Sequence, residues 1–186
     1  KQRMVWNTML KSYANAADHE GAVTWFNHMR ANKIRVNGKT YGKLIESAAK
    51  AGRLEEAEDW LERLNAVPDL HADPVQYGTI LDACAKLGDS AKIVEWLSKM
   101  RNTRLVPDVQ AYSSAVESSA KSGDPEAAAQ WLRAVEKQGP VSSNIPYNMA
   151  IDACAKAGDG ALAAERLDEM VNAGLGPDVI SYTGMI

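Results

Sequence analysis

Apolar residues recur along this chain at intervals of three and four, the spacing of one helix face. In the segment 75–87, VQYGTILDACAKL, the residues Tyr77, Ile80, Leu81, Cys84 and Ala85 share a side. Over 90–102, Ile93, Trp96, Leu97 and Met100 do the same. Between the two segments, Gly88 is placed to end the first helix and Asp89 to cap the second. Pro107-Asp108 breaks the chain after the second helix, and Pro177-Asp178 does so again further on. No segment keeps the two-residue alternation of a strand, so the expectation is an all-α chain.

The pair of helices repeats. Trp6, Tyr41, Tyr77, Tyr112, Tyr147 and Tyr182 are spaced by 35, 36, 35, 35 and 35 residues. The same spacing relates Ala14, Ala49, Ala85, Ala120 and Ala155, and also Trp25, Trp60, Trp96, Trp131 and Arg166. Gly52, Gly88, Gly123 and Gly158 keep it too, with Ala17 in the first copy. Asp18, Asp124 and Asp159 repeat the cap, and Arg53 is the exception. The boundaries this predicts are 3–37, 38–73, 74–108, 109–143 and 144–178, with a truncated sixth copy over 179–186. A helix of about 13 residues is not stable alone. Each must pack on its partner and on the next pair, which predicts a right-handed α-solenoid of tandem helix-turn-helix repeats. Ile180, Met185 and Ile186 would leave the last helix with an uncovered apolar face, so self-association is expected.

Composition narrows the chemistry. The chain has 186 residues, 46% of them hydrophobic and 24% charged, which suits a folded protein. No run of 18 apolar residues is present, so no membrane span is expected. Cys84 and Cys154 form no CxxC pair and read as small buried thiols; His19 and His28 beside Glu20 are too few for a metal site. The tryptophan column lies where a second helix packs on the first, so it reads as core. Phosphate loops, nucleophile elbows and deaminase signatures do not occur, and neither catalysis nor a cofactor is expected.

The stretches YGTILDACAKLGDSAKIVEWLSKMRNTRLVPD (77–108) and YNMAIDACAKAGDGALAAERLDEMVNAGLGPD (147–178) resemble the pentatricopeptide repeat family. The resemblance runs over residues 3–186. It implies recognition of single-stranded RNA, one base per repeat on the concave face, in a mitochondrion or chloroplast. It further implies that the residue after the aromatic column and the last residue of the same repeat read a base edge. On this chain those pairs are Asn7 with Asn37, Gly42 with Asp73, Gly78 with Asp108, Ser113 with Ser143 and Asn148 with Asp178, while Thr183 opens a sixth. The residues implied to flank the bases are Met4, Lys39, Val75, Gln110, Ile145 and Ile180. Lys50, Lys86, Lys121 and Lys156 fall where the family can meet the phosphate backbone.

The residues at these positions differ in what they can do. Asn148 with Asp178 matches the combination associated with uracil, and Asn7 with Asn37 the one associated with pyrimidines, cytosine favoured. Gly42 and Gly78 carry no hydrogen-bonding side chain, and Ser113 with Ser143 is not a strong pair. Lys39 and Gln110 are poor apolar flanks. The lysines have a second reading, because Glu46, Asp82, Glu117 and Asp152 stand four residues before them and can pair with them on the helix surface. Net charge is −3 with pI near 5.7; the first repeat is the most basic and the fifth the most acidic. Two functions stay open: an RNA-binding module, or a structural scaffold that binds protein within a large organellar complex.

Overall fold

The computed structural model describes residues 2–139 and 141–184, with side chains from Val5 onward; Met185 and Ile186 lie outside the described residues. Within that range the chain forms eleven helices and no strand. They are α1 (Gln2–Asn15), α2 (His19–Ala31), α3 (Gly38–Lys50), α4 (Leu54–Ala66), α5 (Pro74–Leu87), α6 (Ser90–Asn102), α7 (Val109–Ser122), α8 (Pro125–Glu136), α9 (Ile145–Lys156), α10 (Gly160–Asn172) and α11 (Val179–Thr183). Two compact halves, residues 1–83 and 84–186, divide within α5.

One turn design joins the helices of each hairpin. Gly52, Gly88, Gly123 and Gly158 take φ between 66° and 73°, and Ala17 takes 55°. That left-handed residue turns the next backbone N–H onto a carbonyl five residues earlier. The bonds are Asp18 to Tyr13, Arg53 to Ala48, Asp89 to Cys84, Asp124 to Ser119 and Asp159 to Cys154, all between 2.9 and 3.0 Å. The four aspartates among these donors then cap the following helix with their side chains, whereas Arg53 makes no side-chain cap.

In the amino-terminal half, α1 packs on α2 and α3, and α3 on α2 and α4. Leu10, Phe26, Met29, Leu44, Ile45, Leu61 and Leu64 are buried there. Phe26, Tyr41 and Trp60 meet ring to ring, with centroids 5.2–6.2 Å apart. Full burial of each such side chain is worth roughly 1.5–3 kcal/mol, so the seam between hairpins holds the short helices in place. A polar contact also crosses it: buried His19 meets Ser47 Oγ through Nδ1 at 2.8 Å and Glu56 through Nε2 at 3.1 Å.

In the carboxy-terminal half, α7 packs on α6, α8 and α9, and α9 on α8, α10 and α11. The α7 face is small, with Ala111, Ser114, Ala115, Ser118 and Ser119 all buried, which lets neighbouring helices approach closely. Tyr77, Tyr112 and Tyr147 are buried with their hydroxyls turned back onto the preceding hairpin, whereas Tyr182 is exposed. Tyr112 bonds Arg101 at 3.0 Å, Tyr147 donates to Glu136 at 2.7 Å, and in the other half Tyr77 meets Asn65 at 3.4 Å.

The tryptophan column is less uniform than its spacing implies. Trp60 and Trp96 are buried, while Trp25 and Trp131 are half-buried. Trp25 donates to the Trp6 carbonyl at 3.0 Å, and Trp131 stacks beside Tyr112. Arg166, in the same column, is the largest fully buried side chain, paired with Glu165 at 3.0 Å and Glu169 at 2.6 Å. Cys84 and Cys154 are buried free thiols. Among the described residues, no helix is long and apolar enough to cross a membrane and no three His, Cys, Asp or Glu side chains group to hold a metal ion.

Candidate nucleic-acid interface

The first helices of the hairpins start from caps, and these caps assemble the candidate site. Asp178 precedes α11 in extended backbone and accepts the Ser181 N–H at 3.0 Å, while its own N–H bonds Ser181 Oγ at 3.1 Å. This reciprocal pairing is a capping box. It brings Asp178 against Asn148 of α9, whose Nδ2 donates to both carboxylate oxygens at 3.2 and 3.4 Å. Ser181 Oγ lies 2.6 Å from Asn148 Oδ1 and completes the set. Asn144, one turn before Asn148, adds a bond to Asp178 at 3.2 Å. The Ser181 backbone N–H, then Asn144, pull the Asp178 carboxyl down from 3.8 to about 2.

Beside this pair lies a groove of about 510 Å³, lined by Ile145, Asn148, Met149, Asp152, Ile180, Thr183 and Gly184. Ile145 and Ile180, at matching positions of the first helices α9 and α11, are 58% and 67% exposed. Thr183 turns its hydroxyl back to the Val179 carbonyl at 2.6 Å.

Asn37 and Asn7 form the corresponding arrangement at α3. Asn37 accepts the Thr40 N–H at 3.1 Å in a second capping box, and Thr40 Oγ1 lies 3.4 Å from Asn7 Oδ1. Here the two asparagines are joined through Thr40 rather than directly. Asn7 is half-buried; the Met4 side chain lies outside the described residues.

The remaining positions are built differently. Asp73 caps α5 by accepting the N–H groups of Val75 and Gln76 at 2.9 and 3.3 Å, and Gln76 Oε1 takes the Asp73 N–H at 2.6 Å. A Cβ on Gly42 would stand 3.1 Å from Gln76 Nε2. Around Gly78 a Cβ would meet nothing within 4 Å. Asp108 caps α7 through Ala111 at 2.9 Å. Ser113 spends its hydroxyl on the Val109 carbonyl at 2.8 Å, and Ser143 accepts the Ile145 N–H at 3.3 Å. These two serines line a cavity of about 290 Å³ without bonding each other, because the α9 cap falls on Asn144, one residue later than in the other hairpins. Val75 is 73% exposed, and Lys39 and Gln110 are exposed as well.

Lys50 pairs with Glu46 at 2.7 Å, Lys121 with Glu117 at 2.7 Å and Lys156 with Asp152 at 2.6 Å, each on its own helix. Lys43 also bonds Glu46. Burial raises the Glu46 pKa, but its hydrogen bonds to Lys43 and Lys50 more than offset that and leave it lowered. Lys156 Nζ reaches the Ala120 carbonyl at 3.1 Å, so it also ties α9 to the end of α7. Lys86 is exposed on α5. The residues that the sequence reading missed are Thr40, Gln76 and Ser181. Their signal was present as N-x-x-T, D-x-x-Q and D-x-x-S at helix starts, the capping-box pattern.

A family model described as "Pentatricopeptide repeat-containing protein" matches residues 2–100, and the PPR repeat model matches residues 145–175. A search of curated proteins finds no match. Among solved structures, the pentatricopeptide repeat protein PPR10 from maize is similar at 24% identity, over 97% of this chain and 26% of that one, with a TM-score of 0.73. PPR10 in complex with an 18-nt psaJ RNA element is similar at 22% identity, over 97% and 31%, with a TM-score of 0.65. The PPR domain of Arabidopsis thaliana protein-only RNase P 1 in complex with tRNA is similar at 11% identity, over 98% and 96%, with a TM-score of 0.78. The chain thus spans about a quarter of the length of the maize protein. At these identities the likeness is one of fold, that of tandem helical repeats of the α-solenoid class.

Proposed function

This chain belongs to the pentatricopeptide repeat family, and on that premise we propose that it is a single-stranded RNA-binding module of an organellar gene-expression factor. Each hairpin takes one base at the start of its first helix, and the chain works in a mitochondrion or chloroplast. The observation that carries the reading is the Asn148–Asp178 pair, held in one orientation beside a groove flanked by exposed Ile145 and Ile180. Exposed apolar surface costs free energy in water, and a flat base covering both isoleucines would recover it. The hydrogen-bonding groups between them then read the base edge. Solved structures of similar fold that hold RNA lend further support.

The lysine ion pairs and the net charge of −3 make backbone attraction weak. Affinity therefore rests on stacking and edge contacts more than on counterion release. The test is selection from a random RNA pool at low salt, followed by binding to the enriched sequence. The expected result is enrichment with uracil at one position, moved towards guanine by Asn148→Thr. A pool that returns unenriched, with the chain instead held in a ribonuclease-resistant protein complex, would replace this reading with the scaffold.

A further inference from the structure

We infer that Gln76, supplied by the start of α5, is the base-reading side chain of the hairpin formed by α3 and α4, where the expected reading position is Gly42. The inference rests on the RNA-binding reading above and assigns the specificity of one more position within it.

Three facts place the Gln76 amide at the reading position. A Cβ at residue 42 would stand 3.1 Å from Gln76 Nε2 and 3.6 Å from its Cγ, so Gln76 fills the space beside this glycine. The amide has one orientation: the Asp73 N–H is a donor 2.6 Å away, so the Gln76 oxygen must face it and the NH2 group must face Gly42. Nε2 has no acceptor among the described residues, whose buried side-chain nitrogens without partners all belong to Arg166. The Gln76 NH2 group therefore keeps an opening to water although the residue is only 7% exposed. A buried amide with a free, outward donor is an anchored hydrogen-bonding group.

The same helix position elsewhere explains why glutamine stands here. The residue before the aromatic column touches the reading residue of the preceding hairpin in both asparagine cases, Thr40 against Asn7 and Ser181 against Asn148. Short hydroxyls accompany the asparagines, and a long amide accompanies glycine. The amide group is thus moved from one helix to the next, with the total side-chain volume roughly kept. Around Gly78 no side chain fills the corresponding space.

The same helix start also carries an acceptor. Asp73 uses Oδ1 for the Val75 and Gln76 N–H groups, leaving Oδ2 to accept. A donor next to an acceptor matches a base edge that offers a carbonyl next to a ring N–H. Uracil and guanine present that edge. Cytosine and adenine present a ring nitrogen lone pair there, which the carboxylate repels. This hairpin therefore selects keto bases.

The test uses the whole chain and the RNA enriched from a random pool. The nucleotide facing α9 is located as the one whose preference Asn148→Thr moves, and the nucleotide facing α3 lies three away. With each base placed at that second position, the chain is expected to favour uracil or guanine over cytosine or adenine by about three- to tenfold, the worth of one hydrogen bond. Gln76→Glu keeps the length and the bond from the Asp73 N–H, since glutamate is equally favoured in a capping box, but has no donor. It should bring the ratio to about one while circular dichroism and melting stay unchanged. Gly42→Asn with Gln76→Ser rebuilds the Asn148–Ser181–Asp178 arrangement, because Asp73 stands where Asp178 does, and should narrow the keto preference to uracil. A wild-type ratio near one, or a ratio that Gln76→Glu leaves in place, would overturn the assignment while the Asn148 position still discriminates. Loss of discrimination at both positions would instead remove the RNA-binding reading, and this assignment with it.

Discussion

Ser181 Oγ lies 2.6 Å from Asn148 Oδ1, across 33 residues of sequence. Ser181 has no other route to influence a base, since it is fully buried. It holds the Asn148 amide with Oδ1 towards Ser181 and Nδ2 towards Asp178. Ser181→Ala should loosen the start of α11 by about 1 kcal/mol through loss of the capping box, visible as faster amide exchange there. It should also halve or better the preference for uracil over cytosine at the Asn148 position. Ser181→Thr should restore both. A preference unchanged in Ser181→Ala would mean that Asn148 is oriented without it.

The lysine column is restrained by its own carboxylates. Asp152→Asn and Glu117→Gln remove the partners that hold Lys156 and Lys121 at 2.6 and 2.7 Å. Each substitution should strengthen RNA binding at low salt and steepen the slope of log affinity against log salt by about 0.7, one single-strand phosphate contact. Filter binding between low and moderate salt measures it. Slopes that do not move would assign these lysines to the helix surface alone.

His19 links stability to pH in the amino-terminal half. Burial holds its pKa below 6.5, against the opposing pull of Glu56 and Glu20 and with the help of Arg53. Ser47 and Trp60 also face the ring. Between the lowered folded value and 6.5 the unfolded chain binds the extra proton, so stability rises with pH across that window. It is fully present above 6.5 and falls away on acidification. Thermal melts from pH 7.5 to pH 5 should show the decline in the natural chain and a flatter profile in His19→Asn. Parallel profiles would show that His19 does not set the slope.

Arg166 stands in the tryptophan column with its guanidinium 2% exposed and Nε without a partner. Its attraction to Glu169 opposes the burial, and the nearby Glu136 and Glu165, that raise the Glu169 pKa. Arg166→Ala removes both packing and charge and should cost about 2–4 kcal/mol. Arg166→Met keeps an unbranched stem without the charge and should cost less. Urea unfolding of the two variants decides the order; an equal loss would put the whole effect on the charge.

The α5 and α6 segments show what the sequence by itself determined. Three-and-four spacing, glycine at the turn and aspartate after it marked both helices to within a residue, with α5 starting at Pro74 instead of Val75 and α6 spanning Ser90–Asn102. These features are local, since each depends on bonds between residues at most five apart. The columns also marked which positions are equivalent, and so where Asn148 and Asp178 stand. They did not show that Gln76 occupies the space beside Gly42, that Lys156 reaches the Ala120 carbonyl, or that Arg166 lies fully buried. The first two contacts join residues about 35 apart, and all three depend on how much space a neighbouring hairpin leaves. Periodicity says that a position recurs; only packed helices decide which side chain has room to reach it.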